Sequence, residues 1–168
     1  MNTNIKFNKV ELNRRITPNT LSSIVLPFNC NASDLTNATF YDISMIRTQN
    51  NSYIINQNDL TPVTTIEANT PYLMVSNSSS LEFNEGEYNF NNDRTITKNI
   101  PINGTSLYMI MTPIFEYTVI GDKYDLNEVD VYGIAGQSTG SFVEGQFVYA
   151  AADAYIKCGR VLFIKPKT

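Results

Sequence analysis

Histidine and tryptophan are both absent from this chain of 168 residues. Without histidine there is no ordinary general base near neutral pH, no favoured metal ligand, and no usual partner to activate a serine or cysteine nucleophile. Cysteine occurs only twice, so a zinc site would need carboxylates to complete its shell, a rare ligand set. Charge is sparse as well: 17% of residues are Asp, Glu, Lys or Arg, against about 25% in an ordinary domain. The formal net charge is −4 and the twelve Lys and Arg are scattered, which argues against a nucleic-acid partner. No apolar run approaches the roughly 20 residues of a membrane-spanning helix, so membrane insertion is not expected. The N-terminus lacks the charged-then-apolar pattern of a secretion signal. The chain therefore reads as a mature or excised piece of a secreted protein, or as a protein made and folded in a cytoplasm.

What fills the gap left by charge is amide and hydroxyl. Asparagine occurs 21 times, and Asn, Ser and Thr favour turns and neutral hydrogen-bonding surfaces over helix interiors. With 42% hydrophobic residues the chain has enough apolar material for one core, and its length suits one domain over residues 1–168. Short β-branched and aromatic runs, punctuated by Asn, Gly, Pro and Asp, recur along the whole length. That pattern predicts an all-β, antiparallel β-sandwich of the jelly-roll or Ig-like kind with little helix.

Strands are expected over 5–12, 21–28, 39–46, 52–55, 71–75, 81–83, 88–90, 94–98, 106–111, 115–120, 129–134, 141–149 and 160–165. Leu107 to Met111 and Val161 to Ile164 are apolar on both faces, the mark of strands covered on each side. Leu81 and Phe83 should face inward while Glu82 and Asn84 face water. Pro27 and Pro71 lack a backbone donor, so each should end a strand or lie at an edge. Ser33-Asp34-Leu35 suits one short helical turn, and Ala150 to Ala154 has helical propensity.

Several short motifs run through the chain in order: Glu11-Leu12-Asn13-Arg14, Thr17-Pro18-Asn19-Thr20, Val25-Leu26-Pro27-Phe28, Ile66-Glu67-Ala68, Thr70-Pro71-Tyr72-Leu73, Tyr132-Gly133 and Ala154-Tyr155-Ile156-Lys157. Together they resemble a β-sandwich domain of surface and secreted proteins of gut Bacteroidetes, often found near the C-terminus beside leucine-rich repeats or glycan-active modules. The likeness spans nearly the full chain. It departs from the family at Leu21-Ser22-Ser23, where Trp-Asn is common, at Asn69-Thr70, where Gly-Lys is common, and at Cys158-Gly159-Arg160-Val161-Leu162, where Pro-Phe-Arg-Ala-Tyr is common. The resemblance implies a non-catalytic interaction or adhesion module, extracellular or at the cell surface, that binds a protein or glycan through its loops.

Two rival functions stay open. One is a phage virion component, a head decoration or fibre protein that assembles as a symmetric homo-oligomer. The other is a carbohydrate-binding module, for which Tyr41, Tyr53, Tyr117 and Tyr124 are the aromatic candidates near polar loops.

Other chemistry is thinner. Asp122, Asp125, Asn127, Glu128 and Asp130 supply the oxygen ligands that calcium prefers, but their spacing misses the calcium-loop template. No other cofactor is expected. Glu82, Glu85, Glu87 and Glu116 are the carboxylates from which a glycosidase pair would be drawn; the expectation is that Glu82, Glu85 and Glu87 form a polar hairpin exterior and that the protein is not an enzyme. Arg160 either pairs with Glu67 or is solvated. Cys30 and Cys158 flank predicted strands, and a disulfide between them would contribute on the order of 4–5 kcal/mol by loop-closure entropy; two separate buried thiols are the alternative.

Overall fold

The computed structural model describes residues 2–7, 16–49, 52–91, 100–102, 105–111, 118–157 and 159–167. Among them the regular structure is nearly all strand: β1 (Asn2–Phe7), β2 (Leu21–Val25), β3 (Phe28–Asn31), β4 (Ala38–Asp42), β5 (Ile46–Gln49), β6 (Ser52–Ile55), β7 (Thr65–Ile66) and β8 (Pro71–Ser76). They continue with β9 (Gly86–Asn91), β10 (Ile100–Pro101), β11 (Tyr108–Met111), β12 (Thr118–Val119), β13 (Val129–Ile134), β14 (Phe147–Tyr149), β15 (Tyr155–Ile156) and β16 (Val161–Pro166). Helix is confined to the four residues of α1 (Ile120–Lys123) and two 3-10 turns at Ala32–Asp34 and Gln57–Asp59. The expected turn near Ser33 forms, with the Asn31 N–H donating to Asp34 Oδ2 at 2.8 Å. Ala150 to Ala154 holds a turn and no helix.

Every strand pairing described is antiparallel. The all-β, antiparallel, sandwich-like class read from the sequence is the observed one, and the stacking has three main sheets. A three-stranded sheet β2-β8-β4 lies between a four-stranded sheet β1-β9-β3-β7 and a five-stranded sheet β10-β11-β16-β13-β14; two ribbons, β5-β6 and β12-β15, complete it.

Side-chain alternation shows why the three-stranded sheet is the middle layer. Ile24, Phe40, Tyr72 and Met74 face one way, into a core with Phe28, Cys30, Ile66 and Tyr88. Leu21, Val25 and Leu73 face the other way, into a core with Met109, Met111, Tyr132, Phe147, Val161 and Phe163. Successive strand residues point to opposite faces, so a strand buried on both sides is apolar on both, as β8 is from Pro71 to Val75. The two-faced runs expected to be central also behave so. β11 and β16 are interior strands of the five-stranded sheet, and Ile110 and Ile164 pack with Ile156 on the face opposite Met109 and Phe163.

Proline placement explains a strand break that the apolar run 21–28 concealed. β2 stops at Val25 and β3 starts at Phe28, in a different sheet, because Pro27 cannot donate to a ladder. The chain thereby crosses from the middle layer to the N-terminal layer. Pro71 opens β8, opposite Val25. Leu81 and Phe83 are buried while Glu82 and Asn84 are exposed, as expected.

The expected strand over 141–149 shrinks to Phe147–Tyr149. Thr139 Oγ1 accepts from the Ser141 and Phe142 N–H groups, and Ser138 Oγ accepts from the Glu144 N–H at 3.0 Å. Hydroxyls that bond their own backbone compete with ladder formation. The expected strand over 94–98 lies outside the described residues, as do parts of those over 5–12 and 115–120.

Candidate cleft beside strand β2

β2 is an edge strand of the middle layer, and an edge presents unpaired backbone groups that must be covered. Here the C-terminal third of the chain covers them. The Leu21 N–H donates to the Gly136 carbonyl at 3.0 Å and the Val25 N–H to the Gly159 carbonyl at 3.0 Å. Between them Ser23 Oγ accepts from the Val161 N–H at 3.0 Å and donates to the Val161 carbonyl at 3.1 Å. Gly159 has φ +75°, a left-handed conformation that glycine adopts without a Cβ penalty.

Where these segments meet, a cleft of ≈ 410 Å³ opens. One wall is the start of β2 and the turn before it, with Thr17, Thr20 and Ser22; the other is Tyr155, Lys157 and Arg160. The turn is fixed by the Asn19 N–H donating to the Ser76 carbonyl at 2.7 Å and by Thr20 Oγ1 donating to the Thr17 carbonyl at 2.7 Å. A second concavity of ≈ 410 Å³, more apolar in its lining, adjoins the first and shares Gly133, Ile134, Gly136, Tyr155 and Leu162 with it. Phe142 and Tyr149 lie along it and are exposed. Tyr155 stands at the junction with 62% of its surface exposed, because its β15 neighbour Ile156 takes the inward position.

Among the described residues the charge in the cleft has one sign: Arg160 and Lys157 line it, and no described residue lining either concavity is Asp or Glu. Arg160 is half-buried, and burial holds its guanidinium below the usual arginine range. Among the described residues it has no ion pair; the ion pairs described are Arg47 with Asp59 and Lys167 with Asp130. Neither sequence expectation for Arg160 describes it, since it is neither fully solvated nor paired with Glu67. Glu67 sits instead with Asp42 and Tyr72 around a separate shallow depression.

The aromatic candidates do not converge. Tyr41 is half-buried on β4 and packs into the C-terminal core. Tyr53 is half-buried on β6, its ring centroid 5.9 Å from Tyr132 and 5.7 Å from Phe147, with Lys165 Nζ 5.3 Å from the ring centre. Tyr124 packs against Ile110, Ile156 and Ile164, and its hydroxyl is buried. Tyr117 lies outside the described residues. The exposed Tyr149 and Tyr155 went unnoticed in the sequence because each ends or begins a short strand whose partner positions are buried.

The acidic run is taken up by turn geometry. Asp125 Oδ1 accepts from the Asn127 N–H at 2.9 Å, and the Asp125 carbonyl accepts from the N–H groups of Glu128 and Val129. Asp130 faces Lys167 at 3.7 Å, and Asp122 lies in α1. Among the described residues no three His, Cys, Asp or Glu side chains come together as a metal site. Glu82, Glu85 and Glu87 are exposed, and Glu116 lies outside the described residues. Cys30 is a free buried thiol; Cys158, its candidate partner, lies outside the described residues. Burial and, less, the nearby Asp34 push the Cys30 thiol up to about 12. No described helix is long and apolar enough to cross a membrane.

Comparison with known proteins finds no matching family model, no matching curated protein and no matching solved structure.

Proposed function

We propose that the chain is a non-catalytic, surface-exposed interaction module that binds a glycan in the cleft beside β2. One observation carries this: an exposed tyrosine, several hydroxyls and a guanidinium line a single cleft whose described lining residues include no carboxylate. Sugar recognition stacks a ring on an aromatic face and fixes it with nearby polar groups, whereas glycoside hydrolysis requires a pair of carboxylates. The motif resemblance to surface β-sandwich domains of Bacteroidetes supports the same reading and a cell-surface or secreted location.

The test is retardation in native gels cast with a panel of neutral and acidic polysaccharides. One of them should retard the protein, and Tyr155→Ala should abolish that shift while Tm stays within about 2 °C, since exposed substitutions change stability by at most about 0.5 kcal/mol. Absence of retardation on every polysaccharide, or retardation indifferent to Tyr155, would sink the proposal.

A second reading is the symmetric virion oligomer. It is favoured by exposed Phe142, Val143 and Tyr149 in and beside β14. Exposed apolar side chains of this kind suit contact with further copies. Light scattering at two concentrations separates the readings: a fixed trimer or larger ring supports the virion component, and a monomer opposes it.

A further inference from the structure

We infer that the glycan taken by the β2 cleft is acidic, carrying a carboxylate or sulfate group that Arg160 binds. The inference rests on the glycan-binding reading above and adds the charge of the ligand. The chain as a whole is acidic, with a net charge of −4, yet the described residues lining the cleft include two cations and no anion. A guanidinium that is half-buried loses hydration, and a protein usually compensates by giving it a carboxylate. Arg160 has no such partner among the described residues, and burial alone accounts for its lowered proton affinity. Its planar fork matches carboxylate and sulfate oxygens in a bidentate way that an ammonium cannot reproduce.

The surroundings define the rest of the ligand. Ser22 and Thr17 bring hydroxyls to the opposite wall, and Thr20 Oγ1, which donates to the Thr17 carbonyl, keeps its lone pairs for a sugar hydroxyl. Tyr155 offers an apolar face at the junction with the second concavity. A neutral sugar would use the tyrosine and the hydroxyls but would leave the guanidinium desolvated and unmatched. A free inorganic anion would match the guanidinium and leave the tyrosine unused. An acidic sugar uses both.

The experiment measures binding of polygalacturonate, chondroitin sulfate and neutral galactan to the wild-type protein and to Arg160→Gln, Arg160→Lys and Tyr155→Ala, by calorimetry at two salt concentrations. Binding of polygalacturonate or chondroitin sulfate, weakened about tenfold or more by Arg160→Gln, partly kept by Arg160→Lys and reduced by added salt, is the expected result. Preference between the two acidic polymers identifies carboxylate or sulfate as the recognised group. Binding of galactan alone overturns the inference and leaves glycan binding standing; binding of none overturns both. Binding of an acidic polymer that Arg160→Gln does not weaken also overturns it. Folding of the variants is followed by thermal unfolding. Because the wild-type guanidinium is desolvated without a partner, Arg160→Gln should unfold at the same temperature as wild type or higher, so lost binding in that variant reports on the ligand.

Discussion

Ser23 Oγ is bonded to both backbone groups of Val161, 138 residues away in sequence, accepting from its N–H at 3.0 Å and donating to its carbonyl at 3.1 Å. One hydroxyl thus ties the edge of the middle sheet to the start of the last strand and closes the floor of the cleft. Ser23→Ala leaves two buried backbone groups without that partner, each worth about 1–3 kcal/mol. The expected loss is about 2–3 kcal/mol, or a fall in Tm of about 4–10 °C at this chain length. Ser22→Ala, one residue away and without a described side-chain hydrogen bond, should change stability by no more than about 0.5 kcal/mol. Equal effects of the two in thermal or urea unfolding would mean that the clamp contributes nothing.

A second tie, between Gly145 and Ile55, depends on glycine itself. Gly145 has φ +84°, its carbonyl accepts from the Ile55 N–H at 2.8 Å, and a Cβ added to it would lie 1.8 Å from the Ile55 carbonyl oxygen. Gly145→Ala must therefore push β6 away from the segment before β14, at a cost of about 3 kcal/mol or more from strain and lost pairing. Gly140→Ala, with nothing within 4 Å of the added carbon, is the matched control and should be near neutral. Similar unfolding midpoints for the two variants would contradict this account.

Local features of the fold were legible where they rest on local chemistry. Pro27 marked a strand boundary, and the two-faced runs 107–111 and 161–164 marked interior strands, because donor loss and apolar periodicity are properties of short segments. Residues 141–146 read as strand in the sequence, but the hydroxyls of Ser138 and Thr139 accept from the N–H groups of Ser141, Phe142 and Glu144 instead. The cleft was not legible. Its walls come from residues near 20, 135 and 157, and they meet because the edge of β2 donates to the carbonyls of Gly136 and Gly159 and Ser23 exchanges hydrogen bonds with Val161. The tyrosines chosen for their nearness to polar residues are mostly held in packing, since polarity of neighbours in sequence says little about which way a strand turns its side chains.

Alkaline titration should reveal the buried thiol. Cys30 ionises at about 12 in the folded protein against an ordinary value of 9.0, through burial first and the Asp34 charge second. Above pH 9 the unfolded chain releases this proton and the folded protein keeps it, so stability falls as pH rises. The contribution is whole below about pH 9 and is lost as pH passes through about 12, with a slope approaching about 1.4 kcal/mol per pH unit. Tyr72, Tyr88, Tyr124 and Tyr132 are also raised by burial and act in the same direction, from an ordinary value of 10.0 upward. Urea unfolding between pH 9 and 10 isolates the thiol: Cys30→Ala should show a shallower decline than wild type, whatever its stability at pH 7. Parallel declines would show that Cys30 titrates normally.

Tyr124 separates a buried ring from a binding ring. Its hydroxyl is buried and has no hydrogen-bond partner among the described residues, its ring packs on Ile110, Ile156 and Ile164, and burial raises its pKa. An unmatched buried hydroxyl costs about 1–3 kcal/mol, so Tyr124→Phe, which keeps the ring and removes the oxygen, should be neutral or stabilising by about 1 kcal/mol. Polysaccharide retention should be unchanged in this variant, because Tyr124 lines neither concavity of the cleft. Tyr155→Ala should give the opposite pair of results, with Tm preserved and retention lost. A clear loss of stability in Tyr124→Phe would place an unseen partner on the hydroxyl. Loss of retention in that variant would move the binding surface from the β2 cleft to the face of the five-stranded sheet that carries Ile110 and Ile164.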